Sequence, residues 1–484
     1  MFRKNKKFYV TTSIPYTNAF PHIGFALEII QADVLARYQR ILGKDVFFLT
    51  GTDEHGLKTL RAAKLAGKEP LDFADEISEK FKELANFLNI SNTDFIRTTD
   101  QTRHMPSVYR LWKKFEENGD IYKKKYKGYY CPGCEAFKTQ KELIDGKCSL
   151  HQKDVEIVEE ENYFFRLSKY LPKIKKIITG GKLKIIPIAR KAEILNMIDQ
   201  GLEDVSFSRA KEKYWGWPVP CDDTQNFYVW QDALPNYISA LGYSEDSKNF
   251  KKYWPADVHC IGKDIVKFHA IYWPAMLLSA KIKLPESIFI HGFINVAGQK
   301  MSKSLGNVVD PFDLVKKYGV DAVRYYLLRE ILPTEDGDFT YEKFEARYNA
   351  DLAGGLGNLL SRTLGIADKI SNFKFLISNK SLSNNSKKAL KQAKEKYTLG
   401  LENFKFNEAL AAVWELIGYC DKYINEEKLW QTKNHEVVNE ILFILKEISN
   451  LLYPFLPDSS IKINQAVSEG LLEKETPVLF PRVD

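Results

Sequence analysis

The N-terminal segment constrains the fold most, because it predicts a strand, a loop and a helix in direct succession. Apolar side chains alternate at Phe8 and Val10, and the alternation continues through Thr12 to Ile14, which is typical of a β-strand. After a loop bracketed by Pro15 and Pro21, one helix face is marked by Ile23, Leu27, Ile30, Val34, Tyr38 and Ile41. Gly43 fits the C-terminal stop of that helix. The first half of the chain is therefore predicted to be an α/β domain.

Three more short apolar runs, Val46–Leu49, Asp257–Ile261 and Ile288–His291, are predicted as buried strands. Each of the four strands ends in a polar cluster. The clusters are Pro15-Tyr16-Thr17-Asn18, Gly51-Thr52-Asp53-Glu54-His55-Gly56, Gly262-Lys263-Asp264 and His291-Gly292. Ligands of open parallel sheets bind beyond the carboxyl ends of the strands, so the clusters favour one shared site. Four unrelated polar turns are the alternative.

Length and composition exclude several classes of protein. A chain of 484 residues has room for about three domains at roughly 100–200 residues each. Hydrophobic residues make up 44% and charged residues 27%, which excludes wholesale disorder. The net charge of +7 permits a nucleic-acid partner without requiring one. No apolar run approaches the ~20 residues of a membrane span, and no signal peptide is evident, so a cytoplasmic location with reduced thiols is expected.

The residue pattern of the chain changes twice. Residues 120–225 contain a cysteine cluster and short β-like runs, which predicts an insertion between two halves of a nucleotide-binding sheet. Beyond about residue 350 the pattern is all helical, with breaks expected at the Asn/Ser-rich stretch 378–386 and at Pro454 and Pro457, which predicts a helix bundle. The predicted division is 1–118 and 226–294 for the two sheet halves, 119–225 for the insertion, 295–350 for a loop and linking region, and 351–484 for the bundle.

His22-Ile23-Gly24-Phe25 stands at the predicted start of the first helix. A helix N-terminus offers free N–H groups and partial positive charge to an anion, and a histidine there can donate to a phosphate oxygen. Gly24 would let a ligand approach the backbone closely. Taken alone, a histidine in this place is usually just a cap or a solvated side chain.

Lys300-Met301-Ser302-Lys303-Ser304 is a second motif, followed by Leu305-Gly306-Asn307. Two lysines three residues apart, among small polar residues and before a glycine, suit a mobile loop that binds a polyphosphate. A solvated surface loop is the alternative reading of these five residues.

Cys131-x2-Cys134-x13-Cys148-x2-His151 has the spacing of a tetrahedral zinc site built on two knuckles. Gly133 and Gly146 would allow tight turns beside the metal. All four positions are filled by protein ligands, so the zinc is predicted to be structural. Two fortuitous pairs or a labile disulfide are the alternatives.

The first and second motifs resemble the HIGH and KMSKS signatures of class I aminoacyl-tRNA synthetases. From about Phe8 to Pro481 the chain resembles the methionyl-tRNA synthetase family. The resemblance is carried by TTSIPYTNAFPHIGF, FFLTGTDEHG, YYCPGCEAF, YVWQDALPNY, CIGKDIVKFHAIYWPAML, HGFINVAGQKMSKSLGN, DAVRYYLLRE, GNLLSR and YINEEKLW, in the order of the family.

This resemblance implies a Rossmann-type parallel sheet split by a zinc-knuckle insertion and followed by an all-α anticodon-binding domain. It implies activation of methionine by ATP, with Mg²⁺, and transfer to tRNA(Met). The catalytic positions it implies are His22, Lys300 and Lys303. The ATP-binding positions it adds are Gly24, Phe25, Lys263, Asp264 and Ser302.

The resemblance also implies a methionine pocket, in which Asp53 pairs with the substrate ammonium. Aromatic walls suit a polarizable thioether, and a carboxylate suits an ammonium. The implied lining is Ser13, Ile14, Tyr16, Asp53, Trp230, Ala233, Tyr237, Ile265 and His291. Without the resemblance, Trp230 and Tyr237 would be interpreted as core aromatics. His269 can be interpreted as a satisfied core histidine.

In the helical region, the family reads the CAU anticodon with the positions of Asn358, Arg362 and Trp430. Asn358 and Arg362 are four residues apart and share a helix face. These residue types suit splayed, single-stranded bases. Without the resemblance, Trp430 would be interpreted as a core anchor.

One position departs from the family pattern, because Phe25 stands where the first signature ends in histidine. A phenyl ring can pack or stack but cannot hydrogen-bond. A catalytically weakened tRNA-binding paralogue is therefore one alternative function, and a class I synthetase for another apolar amino acid is the other. The absence of an appended dimerising domain favours a monomer.

Overall fold

The computed structural model describes residues 6–133, 136–138, 140–149, 152–301, 306–371, 373, 382–468 and 478–483. Over these residues the chain forms two compact units. The first unit comprises Met1–Pro21, Gln39–Asn86 and Ser91–Ile290, and the second comprises His22–Tyr38, Phe87–Ile90 and His291–Asp484. The second unit therefore includes most of the first helix. The five-part division of the chain stays a prediction.

The described strands belong to one mainly parallel sheet and several small sheets. They are β1 Lys7–Thr11, β2 Asp45–Thr52, β3 Asp94–Arg97, β4 Ile121–Cys131, β5 Ala136–Lys138, β6 Leu143–Ile144, β7 Lys147–Cys148, β8 Glu156–Phe165, β9 Lys184–Ile186, β10 Val205–Ser206, β11 Ser208–Ala210, β12 Pro218–Val219, β13 Asp222–Phe227, β14 Val258–Gly262, β15 Ser287–His291, β16 Ile294–Val296, β17 Gln299–Lys300 and β18 Gly337–Phe339.

The main sheet has the order β3-β2-β1-β14-β15-β9 among the described strands. Strand β1 pairs in parallel with β2 on one side and β14 on the other, β2 pairs in parallel with β3, and β15 with β9. The prediction of a parallel α/β sheet is confirmed. Since the strand order reverses at β1, a ligand crevice is expected at the carboxyl ends of β1 and β14.

The strand β1 is shorter than the alternation predicts, since it ends at Thr11 and not at Ile14. The Thr12 N–H still donates to the Leu49 carbonyl, and the ladder then stops before Pro15. Pairing with the β2 side resumes at Tyr16, which forms a parallel bridge with Asp53. The chain therefore loops out between Thr12 and Pro15 at the expected edge of the sheet.

The inserted region is antiparallel, with sheet orders β10-β8-β4-β5 and β11-β13-β12. It is not fully separate from the main sheet, because β9 pairs with β15 and adds an edge strand. Large buried side chains such as Trp112 and Trp273 fill the core of the first unit.

The described helices lie throughout the chain, and after residue 310 they replace the strands almost completely. They are α1 Ile23–Ile41, α2 Leu57–Leu65, α3 Pro70–Phe87, α4 His104–Glu117, α5 Leu171–Thr179, α6 Ile188–Asp199, α7 Val229–Ala233, α8 Asn236–Ser239, α9 Lys248–Tyr253, α10 Trp273–Ser279, α11 Pro311–Tyr318, α12 Val320–Arg329, α13 Tyr341–Arg347, α14 Asn358–Asp368, α15 Asn384–Glu402, α16 Phe406–Glu426, α17 Leu429–Thr432, α18 His435–Leu452 and α19 Pro457–Ser468. None of them is long and apolar enough to cross a membrane.

The predicted helix boundaries hold in part. Gly43 has the left-handed conformation (φ 77°) and its N–H donates to the Arg40 carbonyl, so it closes α1 as expected. The all-helical region predicted beyond about residue 350 begins with a π-helix, Tyr348–Gly357, before α14. The predicted break at 378–386 extends too far, because the Ser383 hydroxyl caps α15 by accepting from the Ser386 N–H.

Candidate active site

The first unit contains the two polar turns that carry the predicted methionine-binding residues. The Asp53 N–H donates to the Pro15 carbonyl at 2.8 Å, and the Thr17 N–H donates to the Asp53 carbonyl at 3.0 Å. This backbone pairing places Tyr16 beside Asp53, whose side chain is buried (2% exposed). Ser13 and Ile14 lie in the same loop and are half-buried.

Trp230 and Ala233, both in α7, are two more of the predicted methionine-binding residues of the first unit. The Trp230 ring meets Tyr16 edge-on with centroids 6.4 Å apart, and it stacks on Phe268 at 3.6 Å. Ala233, at the end of the same helix, is buried. Sequence reasoning missed Phe268; its place between Ile265 and His269 was the available signal.

His269 joins Tyr237 to Ile265. Its Nε2 lies 2.7 Å from the Tyr237 hydroxyl and its Nδ1 lies 3.0 Å from the Ile265 carbonyl. A carbonyl only accepts, so Nδ1 carries the proton, and Nε2 of a neutral imidazole accepts from the hydroxyl. His269 belongs to the π-helix Phe268–Tyr272, a geometry often found at functional sites.

His259, in β14, lies under this group. Its ring centroid is 4.3 Å from that of Tyr237, and its Nδ1 is 2.8 Å from the Thr11 hydroxyl. Burial, reinforced by His269, lowers the pKa of His259 well below the usual range. The imidazole is therefore neutral at pH 7.

Lys263 and Asp264 follow the carboxyl end of β14 directly. The Asp264 side chain is exposed and that of Lys263 is half-buried. This is the edge of the sheet at which the switch in strand order predicts a ligand crevice.

His22 and Gly24 belong to the second unit. The His22 Nδ1 accepts from the Gly24 N–H at 3.0 Å, which leaves the ring proton on Nε2. A β-carbon at position 24 would lie 2.8 Å from the His22 ring, so this fold of the imidazole over the helix start requires glycine. Desolvation by the surrounding protein lowers the pKa of His22, although its side chain keeps an exposed face.

The expectation of free N–H groups at the start of α1 is wrong for this conformation. The Ile23 N–H donates to the Val309 carbonyl, the Gly24 N–H to the His22 ring, and the Phe25 N–H to the His22 carbonyl. Gly24 accommodates the His22 ring in this conformation, and its role in ATP binding stays a prediction. The Phe25 side chain is buried, so its ring packs within the protein.

The second signature approaches the first within the second unit. A β-carbon at Gly24 would lie 3.7 Å from the Met301 Cε. The Lys300 ammonium lies over the Phe293 ring at 5.5 Å, and its side chain is exposed. Ser302 and Lys303 lie outside the described residues.

His291, predicted to line the methionine pocket, contacts Glu28 in this unit. Its Nε2 is 2.7 Å from the Glu28 carboxylate and its Nδ1 is 2.7 Å from the Gly292 carbonyl. Both side chains are buried. Sequence reasoning missed Glu28, because it lies among apolar residues of α1 without a spacing signal.

Comparisons with known proteins agree with this arrangement. Residues 8–142 and 138–364 match the family model for class I tRNA synthetases (M), and residues 387–481 match that for the anticodon-binding domain of tRNA ligases. The methionine–tRNA ligase of Thermotoga maritima is 45% identical over 96% of this chain and 75% of its own length. That of Nostoc sp. is 43% identical over 99% and 93%. The chain belongs to the methionyl-tRNA synthetase family.

A structural relative of the family supports the same assignment. The Mycobacterium tuberculosis methionyl-tRNA synthetase in complex with methionyl-adenylate superposes with a TM-score of 0.90 at 37% identity, covering 99% of each chain.

Two of the predicted anticodon positions, Arg362 and Trp430, contact each other in the helical region of the second unit. The Arg362 guanidinium lies over the Trp430 ring at 5.2 Å and donates to the Asn425 side chain at 2.7 Å. Trp430 is 48% exposed, so it is not the core anchor that its residue type alone would suggest. Asn358 is exposed at the start of α14.

Two of the four predicted zinc ligands can be placed. Cys131 ends β4 and Cys148 ends β7, and both are buried. Gly146 adopts a left-handed conformation (φ 77°) in the turn before Cys148, as expected. Cys134 and His151 lie outside the described residues. Within the described part of the chain, no group of three or more His, Cys, Asp or Glu side chains is arranged so that it could hold a metal ion.

Proposed function

We propose that this chain is a methionine–tRNA ligase that forms methionyl adenylate from methionine and ATP and transfers methionine to tRNA(Met). The observation that carries the proposal is a buried aspartate, Asp53, which pairs through the backbone with Tyr16, whose ring in turn meets Trp230 edge-on. The chain is also 45% identical to a curated methionine–tRNA ligase. Such a site suits a substrate with one cationic end and one polarizable end.

Methionine would bind through its ammonium and through its thioether. The Asp53 carboxylate would pair with the ammonium, and the rings of Tyr16 and Trp230 would contact the thioether. His269, which accepts from the Tyr237 hydroxyl, would orient that ring. Ser13, Ile14, Ala233 and Ile265 complete the proposed lining, and His291 is proposed to contribute from its pairing with Glu28.

In the activation step, a methionine carboxylate oxygen attacks the α-phosphorus of ATP, which enters as its magnesium complex. The new carboxylate–phosphorus bond replaces the bond to the departing pyrophosphate. The His22 Nε2–H donates to a phosphate oxygen, and Lys300 and Lys303 neutralise developing charge, with Gly24, Phe25 and Ser302 shaping the surroundings. Asp264, aided by Lys263, accepts from the ribose hydroxyls. The protein contributes position and charge, without a covalent enzyme intermediate.

In the transfer step, the terminal ribose hydroxyl of tRNA attacks the acyl carbon of the adenylate. The acyl–oxygen bond to AMP breaks, and AMP leaves. Arg362, Trp430 and Asn358 would hold the anticodon far along the chain from this chemistry, by stacking and by hydrogen bonds to base edges.

A structural zinc ion is proposed for the inserted region. The buried thiols of Cys131 and Cys148 fit a soft metal. The left-handed Gly146 forms the tight turn that precedes Cys148. Cys134 and His151 are proposed as the remaining ligands. The zinc would hold the two knuckles together and take no part in the reaction.

A catalytically weakened paralogue is the alternative that a specific observation favours, because Phe25 replaces a signature histidine. The second alternative, a synthetase for another apolar amino acid, would need editing, because one methylene discriminates only ~1–3 kcal/mol. The inserted region, with its small antiparallel sheets, is short for an editing domain.

An ATP–pyrophosphate exchange assay with methionine, leucine, isoleucine and valine, followed by charging of tRNA(Met), separates these functions. We expect exchange with methionine above all others and charging of tRNA(Met). Exchange with another amino acid, or tRNA binding without exchange, would contradict the proposal.

A further inference from the structure

Three buried polar side chains of the first unit meet beside the predicted methionine pocket. The Asp232 carboxylate lies 2.7 Å from His55 Nδ1 through Oδ2 and 3.2 Å from His104 Nε2 through Oδ1. The His104 Nε2 also lies 2.9 Å from the Asp232 backbone carbonyl. All three side chains are almost completely buried. Neither the two signatures nor the implied substrate contacts involve them.

The electrostatics of this cluster favour an ionised carboxylate. Burial alone would raise the pKa of Asp232, but the two histidines outweigh burial and lower it. A carboxylate can accept from both imidazoles at once, which places a proton on His55 Nδ1 and on His104 Nε2. The remaining His104 nitrogen, Nδ1, faces the Ser239 hydroxyl at 2.9 Å. One aspartate therefore fixes both ring tautomers.

The cluster joins the elements that carry the pocket. His55 follows Asp53 by two residues, and Asp232 lies between Trp230 and Ala233 in α7. His104 begins α4 and connects it to Ser239 in α8, two residues after Tyr237.

The His55 ring is also held from its other side. The rings of Trp215 and Trp217 meet it edge-on at 4.9 and 5.0 Å, and the Gly56 N–H donates to the Trp215 carbonyl. Because the His55 ring is held on both sides, a shift of Asp232 would also shift the turn that contains His55 and Asp53.

We propose that Asp232 is a positioning residue for methionine, which through His55 and His104 fixes the spacing between the Asp53 carboxylate and the Trp230 wall. Asp232 touches no substrate in this account, which rests on the proposed function. Its removal should loosen the methionine site and leave the binding of ATP phosphates by His22 and Lys303 intact.

The test is Asp232→Asn, which keeps the shape but replaces one acceptor oxygen with an amide that donates. One imidazole must then face amide hydrogens or change its tautomer. We expect the KM for methionine in ATP–pyrophosphate exchange to rise roughly tenfold or more, with KM for ATP and kcat per titrated active site changed less than about threefold.

Asp120→Asn is the matched control. Asp120 is likewise a buried aspartate of the first unit, bonded to Lys169, Tyr170 and Ser279 and to none of the pocket residues. Loss of the Asp120 hydrogen bonds should lower Tm without changing the KM for methionine. A smaller folded fraction reduces the number of active sites but not their affinity for methionine.

A second pair of variants covers the case in which Asp232→Asn does not fold. His55→Gln can still donate to the Asp232 carboxylate, so it should raise the KM for methionine less than His55→Leu does. An unchanged KM in both folded His55 variants, or an equal rise in the KM values for methionine and ATP, would overturn the proposal. If the wild-type protein exchanges with another amino acid and not with methionine, the proposed function itself is wrong. If the wild-type protein exchanges with methionine but the variants behave as just described, only the role of Asp232 is wrong.

Discussion

The Arg362 guanidinium lies 5.2 Å from the centre of the Trp430 ring and donates to Asn425 at 2.7 Å. This arrangement holds an exposed indole in one orientation by a cation–π contact and a hydrogen bond. The short helix α17 that carries Trp430 is flanked by two residues in the left-handed conformation, Lys428 and Lys433. Backbone geometry and Arg362 together therefore fix the orientation of the exposed ring.

Trp430→Ala should weaken tRNA charging and leave ATP–pyrophosphate exchange unchanged. The loss of a base stack costs ~1–3 kcal/mol, which corresponds to roughly 5- to 150-fold in kcat/KM for tRNA. Tyr341→Ala, which removes another exposed ring of the second unit, should change neither reaction. Equal damage to exchange and charging by Trp430→Ala would show that the residue supports the fold instead.

The sequence predicted those features of the site that depend on local order along the chain. The parallel strands, the polar turns at their ends and the stop at Gly43 follow from periodicity and turn chemistry. The stacking of Trp230 on Phe268 and the contact of His291 with Glu28 could not be predicted, because they pair residues distant in sequence with no pattern in common. The same is true of the His55–Asp232–His104 cluster.

Two features of the local backbone geometry could also not be predicted from the sequence. The N–H groups at the start of α1 are taken by His22 and Val309, which periodicity cannot reveal. The π-helices at Phe268–Tyr272 and Tyr348–Gly357 shift side chains off the 3.6-residue period that was used to predict helix faces.

His22→Ala and Lys303→Ala should each lower the rate of adenylate formation by about 10²–10³, the effect of removing one transition-state donor. Binding of methionine should change little, because neither residue contacts it in the proposed mechanism. Rapid-quench measurement of adenylate, with Lys316→Ala as the control for an exposed lysine, tests this. Near wild-type rates in both variants would refute the assigned roles.

Zinc removal should destabilise the inserted region. Cys131→Ser and Cys148→Ser should each abolish the binding of one Zn²⁺ per chain and lower Tm, because a structural zinc ion contributes directly to folding. Metal analysis of chelator-washed protein, with Cys221→Ser as the control on an exposed cysteine, measures the stoichiometry. Full activity and unchanged Tm in zinc-free protein would contradict the site.

Arg324 should be the most sensitive charge of the second unit. Its guanidinium is fully buried and donates to the Asp33 carboxylate and to the carbonyls of Leu88, Pro454 and Phe455. Arg324→Met removes the donor to three buried carbonyls and leaves the Asp33 carboxylate paired with Arg37, so we expect a loss of about 3–5 kcal/mol in the free energy of unfolding. Urea denaturation measures this. A loss below ~1 kcal/mol, the scale of a surface pair such as Lys316–Asp313, would show that the network contributes little.

We expect the natural chain to activate methionine with Phe25 in place of the signature histidine. Since Phe25 is buried, Phe25→His exchanges apolar packing for a polar group, and one neutral hydrogen bond is worth only ~0.5–1.5 kcal/mol. Phe25→His should therefore improve turnover or the KM for ATP by no more than roughly tenfold. The most direct test is pre-steady-state formation of methionyl adenylate in the natural protein and in Phe25→His. We predict measurable adenylate in both; no detectable adenylate in the natural protein, with robust formation restored by Phe25→His, would contradict the account.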